Sequence, residues 1–394
     1  MRASPCVSTR TELSEGAGYG DRAAFNYDPC MSDELTESES GPNPHRRRPR
    51  YAGTHPRRFD QRYKELDSLK YTDIEAHVRA QGRTPAGTHV PVMVTEVLAS
   101  LRPAPGEIVA DLTVGYGGHA LAFLQQTAPD GRLIGLDLDG PQLEATGRRL
   151  AEVVDPARLH LHHSHFAGLP KALAADGLDG VDIVFADLGL SSMQIDNPAR
   201  GFSYKHDGPL DMRMDPHRPR SAAGILRTIS YEELATALRD LADEPEHQRI
   251  AEAIIRHRSE RTIERTKELV DVVLSAKGLT HRTWRAAVAE GESELHPAAR
   301  TFMALRILVN DELHGLEQLL RVAPYCLRPG GRLGILAFHS GEDRRVKHAL
   351  RDGLRAGVYA QISDEPLRPS PAERHANPRS SPAKFRWAML AAAR

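Results

Sequence analysis

Two short stretches carry acids and glycines at spacings suited to ligand chemistry. The first is Asp111-Leu112-Thr113-Val114-Gly115-Tyr116-Gly117-Gly118-His119-Ala120, followed further on by Asp137. Glycines permit the positive φ and close backbone approach of a turn that grips a ligand. Gly115 to Ala120 also fits the dinucleotide pattern, with Asp137 about 20 residues on for a ribose. Asp111 argues for another ligand. It would repel a pyrophosphate, but would attract the sulfonium and ammonium groups of S-adenosylmethionine. Asp137 can accept from both ribose hydroxyls of either cofactor, and Asp139 is close enough to be mistaken for it. The bland reading of the glycines is a tight turn with no ligand.

The second stretch is Asp187-Leu188-Gly189-Leu190-Ser191-Ser192-Met193-Gln194. An acid at a strand's carboxyl end, followed by small residues, can approach both cofactor and substrate. Its competing role is helix capping, through Ser191 or Ser192. His160, His162, His163 and His165 suggest a metal, but strand alternation turns the first two away from the others, and no carboxylate or cysteine is evident to complete a set.

The elements that would position these residues follow from periodicity. Apolar runs at 109–112, 133–137, 159–163 and 181–187 alternate with helical patterns at 118–126 and 169–175, which predicts a parallel α/β sheet. From about 195 to 297 the rhythm stops, and helical patterns at 231–241, 248–258 and 266–274 predict an inserted helical unit. Phe302, Leu305, Val309, Leu313, Leu316 and Leu320 form one helical stripe, followed by a fifth strand at 332–338 and a closing edge strand at 384–390. The expected organisation is a disordered extension over 1–85, a Rossmann-like class I methyltransferase sheet over 86–195 and 300–394, and a helical substrate-recognition domain over 196–299. The basic run Arg46, Arg47, Arg48 and Arg50 in the extension reads as a solvated arm, with contact to RNA backbone as the alternative.

Composition narrows the class. The 52 basic and 53 acidic residues nearly cancel, so any surface for nucleic acid must be a local patch. The three cysteines are far apart, which argues against a disulfide framework or thiolate zinc site and suits a reducing cytoplasm. There is no run of about 18 apolar residues, so no membrane partner is expected.

Further motifs make the reading specific. They include Arg200-Gly201-Phe202-Ser203-Tyr204, Asp207-Gly208-Pro209-Leu210-Asp211-Met212-Arg213-Met214-Asp215-Pro216, and Arg265-Thr266-Lys267. Then come His296-Pro297, Val309-Asn310-Asp311-Glu312, Phe338-His339-Ser340-Gly341-Glu342-Asp343-Arg344, and Asn377-Pro378-Arg379. With Gly117-Gly118-His119, this ordered set resembles the bacterial small-subunit ribosomal RNA cytosine-N4 methyltransferases, the RsmH or MraW family, from about His89 to Arg386. Ala120, Ala299, Gly341, Ser381 and Pro382 depart from the family pattern; the last two weaken its C-terminal basic motif.

The resemblance implies S-adenosylmethionine held by Gly117, Gly118, His119, Asp137, Phe166, Asp187 and Gln194; the incomplete histidine set leaves no metal expected. It implies as target a cytosine in the decoding region of 16S ribosomal RNA. The implied partner is the assembled small subunit, and a homodimer is compatible with it. The residues alone choose neither. An exocyclic amine has a delocalised lone pair, so transfer needs alignment and a proton acceptor. Asp187 and the Leu188 carbonyl are expected at the amine, Phe202 or Tyr204 at the unstacked base, and Arg213, His339 and Arg344 at substrate. A DNA amino-methyltransferase, a non-catalytic RNA-binding assembly factor and an NAD-dependent oxidoreductase are the alternatives.

Overall fold

The computed structural model describes residues 91–289 and 295–392; the extension over 1–85, with its basic run, lies outside them. Apolar segments of four to eleven residues form β1 (Ile108–Asp111), β2 (Arg132–Asp137), β3 (Leu159–His163), β4 (Val181–Asp187), β5 (Leu327–Ala337), β6 (Tyr359–Ile362) and β7 (Lys384–Leu390). They make one seven-stranded sheet in the order β3-β2-β1-β4-β5-β7-β6. The pairs from β3 to β5 are parallel, and β7 runs antiparallel to both neighbours. The strand at 384–390 is therefore interior to the sheet. The edge is β6, which has only two residues turned inward and no clear period.

Alternation along the strands builds a core on each face. Ile108, Ala110, Ile134, Leu136, Val184 and Ala186 join one cluster, whereas Val109, Leu133, Ile183 and Phe185 join the other. The first cluster is covered by α4 (Leu169–Ala175), α12 (Glu312–Cys326) and α13 (Ser340–Arg355). The second is covered by α1 (Val94–Leu101) and α2 (Gly118–Gln126). Strand order reverses between β1 and β4, where the crevice at the carboxyl ends of an open α/β sheet takes its ligand. Asp111 closes β1 and Asp187 closes β4, so the two acids flank that crevice.

Between β4 and β5 the chain forms a third apolar cluster from α6 (Ala222–Thr228), α7 (Tyr231–Ala242), α8 (His247–Glu260) and α9 (Thr266–Ala276). Also here lie α10 (His281–Ala289) and α11 (Ala299–Asn310). The single stripe expected from Phe302 to Leu320 is two helices. Asp311 adopts φ 55° and breaks it, so Phe302, Leu305 and Val309 enter the inserted core while Leu313, Leu316 and Leu320 cover the sheet.

Candidate active site

A cavity of about 670 Å³ opens at the β1–β4 crevice. The turn after β1 enters it through Gly115 (φ 50°), while Gly117 (φ 77°) caps α2 and lies behind the wall. A Cβ at Gly117 would stand 2.8 Å from Thr146 Cγ2, and one at Gly118 would stand 2.1 Å from Pro91 Cγ. The two glycines thus serve different ends: Gly117 lets the turn pack on α3 (Gly140–Ala151), and Gly118 itself lines the cavity.

Asp137 lines the cavity and is fixed by two backbone donors, Gly115 N–H to Oδ2 (2.7 Å) and Asp139 N–H to Oδ1 (2.8 Å). Asp139 is structural. It caps α3 through Gln142 N–H, and its Oδ2 accepts from Gln194 Nε2 (2.9 Å) and Arg200 Nη1 (2.8 Å). Gln194 lines the cavity with its amide largely committed, since its Oε1 also accepts Ser191 N–H in the capping box of α5 (Ser192–Asp196). Capping by Ser191 is thus real and coexists with Asp187 at the cavity. Phe166 forms an apolar wall with His165, their ring centroids 3.9 Å apart. Burial lowers the His165 pKa to about 4, so this wall is uncharged at neutral pH. His119 lines the cavity too; its Nε2 bonds the Val92 carbonyl (3.0 Å), and its Nδ1 stands 3.6 Å from Asp187 Oδ2.

The acids are electrostatically unusual. Burial, then the charges of Asp111 and Glu342, raises the Asp187 pKa to about 8. Burial also raises Asp111 to about 7 and Asp137 to about 6. Asp111 Oδ2 is buried without a hydrogen-bond partner. Asp111 does not reach the cavity wall, so its attraction for a cation acts from behind Leu112 and Thr113. Three carboxyls resisting ionisation, one with an unused oxygen, form a site whose charged state awaits a positive ligand. The sulfonium and ammonium groups of S-adenosylmethionine suit that set of acids, and Phe166 and Asp137 line the same cavity.

The opposite wall comes from the loop after β4. Arg200 donates to Asp139 and to the carbonyls of Arg213 and Met214, tying this loop to the cofactor side. Asn310, fully buried, accepts Met214 N–H and donates to the Met212 carbonyl. Phe202 and Tyr204 thereby line the cavity. Phe202 is also part of the inserted core, whereas Tyr204 stacks on His296 at 4.5 Å.

Three expected substrate residues are not brought to this cavity. Arg213 turns inward, forking onto Asp211 and donating to the Pro216 and Arg218 carbonyls. His339 lies 3.1 Å from Glu342 Oε1, an ion-pair distance rather than an aligned bond, and sits at the start of α13. Arg344 is 58% exposed and 3.9 Å from Asp243, beside the Ser340–Asp243 hydrogen bond that joins α13 to the end of α7. Their motifs shape the frame, and the carboxylate Glu342 reaches the cavity instead. Arg306, paired twice with Glu312 at 2.8 Å, and Arg379 also line it; a motif marked Arg379 but not Arg306, and nothing local marked the direction of either. The expected missing carboxylate of the histidine run exists: Asp176 binds His160 (3.3 Å) and His162 (2.8 Å). Among the described residues no group of three or more such side chains could hold a metal.

Comparison with known proteins identifies the family. The family profile of the MraW methylases matches residues 86–390. Ribosomal RNA small subunit methyltransferase H 1 of Lachnoclostridium phytofermentans is 41% identical over 351 residues, 88% of this chain and 93% of that one. The H 2 protein of Alkaliphilus metalliredigens is 41% identical, covering 88% and 97%. Ribosomal RNA small subunit methyltransferase H of Acidothermus cellulolyticus is 44% identical, covering 77% and 94%. With its cofactor-type sheet, paired acids and near-complete match, the chain belongs to the MraW methylase family.

Proposed function

We propose that this chain transfers a methyl group from S-adenosylmethionine to the exocyclic N4 amine of a cytosine in the decoding region of 16S ribosomal RNA. The observation that carries this reading is the shared cavity: Asp137, Phe166 and Asp187 on one side, Phe202 and Tyr204 on the other. Family membership and the relatives' names supply the ribosomal RNA class. When bound, the cofactor supplies an electrophilic methyl group.

The chain's own residues do the rest. Asp137 would hold the ribose, and the raised pKa of Asp187 suits a proton acceptor that works near neutral pH. The Asp187 N–H donates to Thr113 Oγ1 at 2.6 Å, and Leu188 N–H to the Leu336 carbonyl, so the acceptor sits on a strand end held from both sides. Tyr204, backed by His296, offers an aromatic ring for an unstacked base. Residues 196–299 act as the substrate-recognition domain, the assembled subunit is the substrate, and the work is done in the cytoplasm, with a homodimer compatible. Among the described residues no helix is long and apolar enough to cross a membrane.

Small-subunit particles lacking the modification should gain N4-methylcytidine, read by mass spectrometry of digested RNA, when incubated with the chain and S-adenosylmethionine. Methylation at another atom, or of DNA instead, would refute the assignment.

A further inference from the structure

The cavity mouth carries two cations that methyl transfer leaves unused. Arg379 follows α14 (Pro371–Ala376) in a short 3-10 turn. Its Nη2 donates to Asp196 Oδ1 (2.7 Å), while its Nη1 is buried without a hydrogen-bond partner. A donor withdrawn from water with no acceptor is a cost to the folded state, tolerated where a ligand brings the acceptor. Lys205 is exposed and forms no ion pair among the described residues. Both side chains line the cavity, as does Tyr204, which precedes Lys205 in the chain. The Arg379 charge also acts on the Tyr204 phenol, against the dominant effect of burial.

The kind of acceptor follows from position. Asp187 ends β4, whereas Lys205 lies in the loop after β4 and Arg379 in the turn after α14. A base swung out of its stack leaves its phosphodiester at the rim. There Arg379 offers a guanidinium aimed by Asp196, and Lys205 offers a point charge. Asp196 offsets much of the Arg379 charge, so Lys205 supplies the net positive field.

We propose that Arg379 and Lys205 clamp the phosphodiester beside the target nucleotide, Arg379 through Nη1 and Lys205 through charge. This rests on the RNA-methyltransferase reading above.

Salt dependence separates the clamp from other roles. Affinity for unmodified small-subunit particles is measured across a salt series for the wild-type chain and for Arg379→Gln, Arg379→Lys and Lys205→Gln. Each lost phosphate contact should flatten the slope of log affinity against log salt by about 0.7. Both Gln variants should show this flattening, and Arg379→Lys should recover it, while calorimetry finds S-adenosylmethionine affinity within twofold of wild type. An affinity loss with unchanged slope, unrescued by Lys, would overturn the clamp in favour of a base-edge contact. Should Arg379→Gln misfold with Asp196 unpaired, Lys205→Gln decides alone, because Lys205 is exposed and forms no ion pair among the described residues; an unchanged slope there also overturns the proposal. A wild-type chain that binds particles but methylates none would refute the functional reading instead, leaving the slopes to judge the clamp.

Discussion

Asp187→Asn removes the proposed proton acceptor while keeping its shape. The backbone bond to Thr113 Oγ1 survives, because it uses the Asp187 N–H. Removing a carboxyl that is raised to about 8 by burial, Asp111 and Glu342 relieves unfavourable charge, so the melting temperature should hold or rise. An amide cannot take the proton that the amine must shed. A positioned acid or base contributes about 10² to 10⁴ in rate, or roughly 3–5 kcal/mol of barrier. One weakened contact to cofactor costs about tenfold in affinity, or roughly 1.4 kcal/mol. The two roles therefore separate by at least a factor of ten. Single-turnover transfer to small-subunit particles at saturating cofactor reads the first, and calorimetry reads the second. The wild-type rate should climb with pH as Asp187 ionises, with its midpoint below about 8 once a cation is bound, and the variant's residual rate should lack that climb. A variant that matches wild type at saturation, with the same pH profile, would show that Asp187 accepts no proton.

Asp137→Ala should weaken S-adenosylmethionine binding at least tenfold in calorimetry, since the ribose acceptors and the brace on Gly115 are lost together; equal affinity in a folded variant contradicts the ribose role. Cofactor binding should release protons, because a cation favours ionised Asp111, Asp137 and Asp187, whose pKa values stand at about 7, 6 and 8 without it. Affinity should therefore rise from pH 6 to 8, and titrations in buffers of different ionisation enthalpy count the protons; a pH-independent affinity argues against these shifts. Without ligand the same raised values mean that the folded state holds protons the unfolded chain has lost, so their contribution to stability should fall as pH rises from about 4 to 8 in thermal melts. Arg200→Met leaves buried Asp139 without its guanidinium and frees the Arg213 and Met214 carbonyls, so denaturation should show a loss of roughly 3 kcal/mol; a loss below about 1 kcal/mol would mean the tie between loop and sheet is dispensable.

The sequence by itself determined the alternating strands and helices up to β4, the inserted helices and the two acid-bearing turns. These rest on local rules: residue period, glycine at positive φ, and an acid where a strand ends. Motif order determined the family. Other features depended on neighbours distant in the chain. Asp137 and Asp139 look equivalent in sequence, but only the fold turns one to the cavity and gives the other to Gln194 and Arg200. The stripe through Phe302 and Leu320 reads as one helix until Asp311 splits it between two cores. Arg213, His339 and Arg344 have the chemistry of substrate contacts, yet packing spends the first on its own loop and the others on the start of α13. Glu342 and Arg379 reach the cavity because α13 and the chain after α14 bring them there. Side-chain direction is a property of the packed ensemble of elements, so residue type announces a capacity and tertiary structure decides where it is used.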